Sequence, residues 1–191
     1  PGLVNSDIAA VRKQSHSAPS TTLGPALGPR LSLPLPPSGP ALAAGSHGGG
    51  HNMHDMKIGG PGDPAKVSRT IEITMHDNFY EPETLDIKEG ETVRFVIRNA
   101  GEFVHEFNIA TAAMHEAHRP EMMMMVEHGV LEPDRINHEA AKAMQASMGH
   151  GMHDEANSVL LEPGKSGEIV WTFPKHADLE FACNIPGHYE T

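Results

Sequence analysis

The sequence predicts an all-β protein, a β-sandwich of short antiparallel strands, on three observations. Period-two runs recur from residue 67 onward, turn signals separate them, and no apolar run of about 18 residues is present to span a membrane. The length agrees, because 191 residues leave room for one ordinary domain plus extensions.

The strands follow in order. In 70–75, Ile71, Ile73 and Met75 alternate with polar residues; Leu85 and Ile87 do so briefly; and 92–98 carries Val93, Phe95 and Ile97 on one face. Glu81-Pro82 and Glu89-Gly90 mark the turns between them. Residues 104–109, 158–161, 168–173 and 179–183 complete a set of seven. An insertion at about 111–157 interrupts the meander with two helical stretches. One is 112–127, broken or started at Pro120; the other is 135–147, after an N-cap at Asp134.

Residues 1–43 are dominated by Pro, Ser, Gly and Leu, and predict a disordered or removed leader. Its end resembles the tail of a secretory signal: Arg30, a Leu-rich stretch, then small residues at Ala41 and Ala43. Residues 44–66 form a Gly-rich linker, and 67–191 the folded domain.

The 14 Lys+Arg against 25 Asp+Glu give a net charge of -11, which argues against nucleic acid or an anionic membrane surface as the main partner. Beside a single cysteine stand 14 His and 11 Met, imidazole and thioether groups that favour late first-row metals, copper above all. Two Gly-broken clusters are candidate secondary copper ligands: His47, His51, Met53, His54 and Met56 in the linker, and Met148, His150, Met152 and His153 in the insertion. Met122 to Met125 read equally as adaptable core packing or as thioether donors.

The chemistry concentrates in 181–189. A strand ends on Cys183 and a Pro186-Gly187 loop returns His188, so a thiolate and an imidazole form one clamp. Two imidazoles and one thiolate in a trigonal plane suit a blue copper ion, and His105, which interrupts an apolar strand, is the second imidazole. Neither Ala182 nor Asn184 is a histidine that could bridge Cys183 to a second copper, and a strand-end cysteine is poorly placed as a hydrolytic nucleophile, so no enzyme is expected.

The strand pattern, His105-Glu106-Phe107 and the Cys183-x4-His188 loop resemble the plastocyanin/azurin family of cupredoxins. The Met/His-rich insertion with 127–133 resembles the periplasmic copper-resistance cuproproteins within it. The resemblance covers about 67–191 and implies a Greek-key β-sandwich, one type 1 copper, and a periplasmic role in copper resistance or single-electron transfer with a redox partner protein. The alternative is a non-redox copper buffer or delivery protein that uses its His/Met segments for additional Cu(I). Two departures accompany the resemblance. The sequence stops at Thr191, before the axial Met that the family carries beyond its second His, and Glu106 stands where plastocyanin and azurin often have the Asn that braces the Cys loop.

Overall fold

The computed structural model describes residues 8–12, 58–149 and 155–188. Within these residues, ten strands form two five-stranded sheets. In chain order they are β1 (Ile8–Arg12), β2 (Gly60–Pro61), β3 (Arg69–Met75), β4 (Tyr80–Glu81), β5 (Thr84–Lys88), β6 (Thr92–Asn99), β7 (His105–Ala110), β8 (Ser158–Leu161), β9 (Ser166–Thr172) and β10 (Leu179–Ala182). One sheet runs β5-β1-β10-β7-β8, the other β2-β9-β6-β3-β4. Helices α1 (Ala112–Glu127) and α2 (His138–Met148) lie between β7 and β8.

All seven expected strands are present, with three additions. Two of these, β2 and β4, are two-residue edge pairings too short to show a period. The third, β1, lies within the N-terminal extension, where the Ile8–Arg12 backbone pairs antiparallel with β5 and parallel with β10. The sheets are also mixed rather than antiparallel throughout, because the chain leaves β3, crosses to the other sheet for β5, and returns so that β6 runs parallel to β3.

Binary patterning sets the core. Val93, Phe95 and Ile97 of β6, Leu85 and Ile87 of β5, and Ile169 and Trp171 of β9 are buried, while the residues between them face outward. Phe107 joins Phe95, Phe181 and Tyr80 in an aromatic cluster with centroid separations of 5.2–6.1 Å. Among the strands whose burial is described, β7 differs from the others in being buried at all six positions. His105, Phe107 and Ile109 take one face, so the opposite face, with Glu106 and Asn108, is also covered.

That cover is the insertion. Helix α1 starts at a Thr111 N-cap, whose side chain accepts from the Met114 N–H, and runs unbroken through Pro120. It buries His115, Met122 and Met125 and leaves Met123 exposed, so the Met run divides between core and surface. The second helix begins later than expected. Asn137, not Asp134, is the N-cap, accepting from the Ala140 N–H. Residues 132–135 are taken by a turn, closed by a Leu131–Ile136 bridge and by the Glu132 N–H bond to the Arg135 carbonyl. The helix ends at Gly149, whose φ of 71° is left-handed. Among the described residues, no helix is long and apolar enough to cross a membrane.

Candidate metal centre

His105, at the start of β7, Cys183, directly after β10, and His188 meet at one end of the sandwich. Strands β7 and β10 are hydrogen-bonded neighbours, with Phe181 opposite Ile109, and this pairing delivers Cys183 beside the β7 backbone. The loop then turns back: the His188 N–H donates to the Ile185 carbonyl at 2.9 Å, and Gly187 takes a φ of 86°. A β-carbon at Gly187 would meet no atom within 4 Å, so its backbone conformation, not space, calls for glycine.

One donor atom from each of the three residues lies within 4.8 Å of the others. Both histidines turn Nδ1 to the sulfur, at 4.0 Å for His105 and 3.5 Å for His188. Metal–sulfur and metal–nitrogen bonds of about 2.3 and about 2.0 Å, opened to about 120°, would hold S and N roughly 3.7 Å apart. The two observed separations bracket that value, so the residues fit a single ion in their plane. A small cavity beside the cluster is lined also by His76, Asp77, Asn78, Phe79 and Tyr80. Of the secondary candidates, Met148 alone lies within the described residues. Met148 ends α2 with 45% exposure, and His47, His51, Met53, His54, Met56, His150, Met152 and His153 lie outside the described residues.

Each ligand is held from behind. Asp77 Oδ1 accepts from His105 Nε2 at 3.1 Å, which assigns the proton to Nε2 and leaves the Nδ1 lone pair aimed at the site. The same oxygen accepts from the backbone N–H groups of Glu102 and Phe103, at 2.8 and 3.3 Å. Burial would raise the Asp77 pKa, but the His105 bond and these two amides outweigh it and leave it below the usual carboxylate value. Gly101 is needed here for space, since a β-carbon would stand 2.1 Å from Asp77 Oδ1 and 3.1 Å from His105 Nε2. Burial and the neighbouring His105 lower the pKa of His188, which favours the neutral imidazole that a metal requires. The Glu106 N–H donates to Cys183 Sγ at 3.3 Å.

The Glu106 side chain, 1% exposed, braces the Cys loop. Its Oε2 accepts from the Asn184 backbone N–H at 3.1 Å and from Asn184 Nδ2 at 2.8 Å. Its Oε1 accepts from Ser158 Oγ at 2.7 Å and Asn108 Nδ2 at 3.2 Å, and faces His118 Nε2 at 3.4 Å. Burial pushes the Glu106 pKa up, but the His118 hydrogen bond and charge, with Ser158 and Asn184, overcome it and hold the carboxylate ionised. Its hydrogen bond and charge in turn lift His118 to about 9 against the opposing effect of burial.

A cupredoxin-like domain family matches residues 56–116. The copper-resistant cuproprotein CopI of Pseudomonas aeruginosa is 46% identical over 147 residues, covering 72% of this chain and 79% of that protein. The chain belongs to the CopI family of copper-resistant cuproproteins. CopI of Rubrivivax gelatinosus is 40% identical over 147 residues, covering 76% of this chain and 75% of that one. Among solved structures, dithionite-reduced auracyanin from Roseiflexus castenholzii aligns at a TM-score of 0.41 and 21% identity, covering 64% of this chain and 90% of that one.

Three supporting positions escape sequence reasoning. Asp77 sits in a turn with no local pattern that singles it out. His115 and His118, counted in the sequence among the soft donors of the insertion, instead bond the backing of the Cys loop. A charged Glu106 inside an apolar strand is the one signal in the sequence that a buried polar partner had to exist.

Proposed function

We propose that His105, Cys183 and His188 hold one copper ion as a type 1 site, and that the protein serves periplasmic copper resistance through single-electron transfer rather than as an enzyme. The observation that carries the reading is the convergence of two Nδ1 atoms on one thiol sulfur at 4.0 and 3.5 Å. The cupredoxin-like match and membership of a copper-resistance family support copper as the metal. Copper bound there would supply a Cu(II)/Cu(I) couple, for which His2Cys ligation is suited.

The chain's own groups prepare that couple. Asp77 fixes the His105 tautomer, and the Glu106 N–H places a donor on the sulfur, where it stabilises thiolate charge. His105 is 3% exposed, whereas His188 is only half-buried, so the His188 edge is the route by which a redox partner would exchange electrons. Exposed thioethers at Met123 and Met148, 45% each, favour a second reading in which surface groups buffer or deliver Cu(I). Copper stoichiometry separates the two readings.

Titration of the apo protein with Cu(II) tests the proposal. An intense visible thiolate-to-copper band should grow to one equivalent, and Cys183→Ser should abolish it. A Cu(II)-loaded protein with an intact thiol and no such band overturns the assignment.

A further inference from the structure

We propose that helix α1 is the positioning element of the Cys183 loop, with His118 and His115 as positioning residues acting through Glu106 and Asn184. The proposal rests on the reading of His105, Cys183 and His188 as the ligands.

The contacts form a closed ring. His115 and His118 are three residues apart and share a face of α1. His115, 0% exposed, sets Nδ1 3.1 Å from Asn184 Oδ1 and Nε2 3.4 Å from the Glu180 carbonyl of β10. Asn184 follows Cys183 and is gripped on its other side by Glu106 Oε2, through both its backbone N–H and its Nδ2. Glu106 Oε1 returns to the helix at His118 Nε2, 3.4 Å away. The ring therefore runs from β7 to the Cys loop, to α1, and back to β7.

Every member is buried or nearly so, and the position of Cys183 Sγ depends on two of them. The sulfur takes the Glu106 N–H, and its own residue precedes Asn184. A shift of the Glu106 or Asn184 side chain thus changes the distance from Sγ to the two Nδ1 atoms. His118 carries a positive charge against the Glu106 carboxylate across most of the neutral range, which makes this a charge-assisted contact. Placing the helix directly after β7, with Thr111 between strand and helix, folds it back over the outer face of the two strands that bring His105 and Cys183 together.

The test uses the full chain with and without copper. In the apo protein, alkylation of Cys183 by iodoacetamide under native conditions should be at least tenfold faster in His118→Ala than in the wild type, with the fold verified by circular dichroism. In the Cu(II)-loaded protein, His118→Ala should shift both the charge-transfer band and the reduction potential, and His118→Lys, which restores a cationic donor, should move both back toward wild type. If His118→Ala does not fold, His118→Asn, which is too short to reach Glu106, takes its place. A variant with a lowered unfolding temperature but wild-type alkylation rate, band and potential overturns the proposal and leaves α1 as a stabilising cover. A wild-type protein that never develops the band overturns the copper reading instead, and the alkylation comparison still decides the role of the helix.

Discussion

Replacing His118 by Gln should remove a specific, pH-dependent part of the stability of the apo protein. The His118 side chain is 15% exposed and its Nε2 lies 3.4 Å from a carboxylate oxygen that is itself nearly inaccessible. The pKa rises from 6.5 to about 9 on folding, first through the Glu106 hydrogen bond. At about 1.4 kcal/mol per unit, the folded state binds this proton more tightly than the unfolded chain by roughly 3 kcal/mol. Because the folded pKa is the higher one, that stabilisation is complete below pH 6.5 and is lost as pH rises through about 9. A chain of this size changes Tm by roughly 2–4 °C per kcal/mol, so the wild type should lead His118→Gln by about 6–12 °C at pH 6. At pH 10 the two should nearly coincide. Thermal unfolding of both proteins across this range, followed by circular dichroism, measures the difference directly and cancels titrations common to the pair. A Tm gap that stays constant from pH 6 to 10 would refute the charged-pair reasoning, since loss of packing alone carries no such pH dependence.

Asp77→Ala should lower copper affinity by roughly 10- to 100-fold while the protein stays folded, as measured by competition with a chelator, because the His105 ring loses the acceptor that sets its tautomer. Tyr80→Phe should destabilise the protein by about 1 kcal/mol in urea unfolding, through loss of the buried 2.6 Å bond from the Tyr80 hydroxyl to the Glu106 carbonyl. Substituting Met148, His150, Met152 and His153 together should reduce the number of Cu(I) ions bound in titration without changing the visible band. Point substitutions leave in place the neighbouring Met144, which is 5% exposed and belongs to the core.

The strands and the three converging residues were legible because each leaves a local trace. Alternation marks β3, β5, β6 and β9, and Cys183 and His188 are joined by a loop too short to separate them. His105 was legible as a polar residue interrupting an apolar strand. The edges of the elements were less so. Asp134 has the composition of an N-cap, but the bridge between Leu131 and Ile136 holds residues 132–135 in a turn and passes the capping role to Asn137. That isolated bridge, not side-chain composition, decided the outcome. The strand at Ile8–Arg12 leaves no such local trace, since its partners lie more than seventy residues away.

The supporting groups were hidden by a different cause. A histidine count cannot tell a ligand from a brace, because imidazole serves as lone-pair donor in one and as proton donor in the other. What separates them is the neighbour. His105 and His188 face a sulfur, whereas His118 faces a buried carboxylate. Glu106 supplies the deciding constraint. A carboxylate in a fully covered strand must find donors or lose its charge, and the donors within reach come from β7 itself, the Cys loop, β8 and α1. A glutamate at this position therefore demands a cationic partner that a neutral amide would not need. In this chain α1 supplies it, so the buried carboxylate in the strand and the helix after it are two halves of one arrangement.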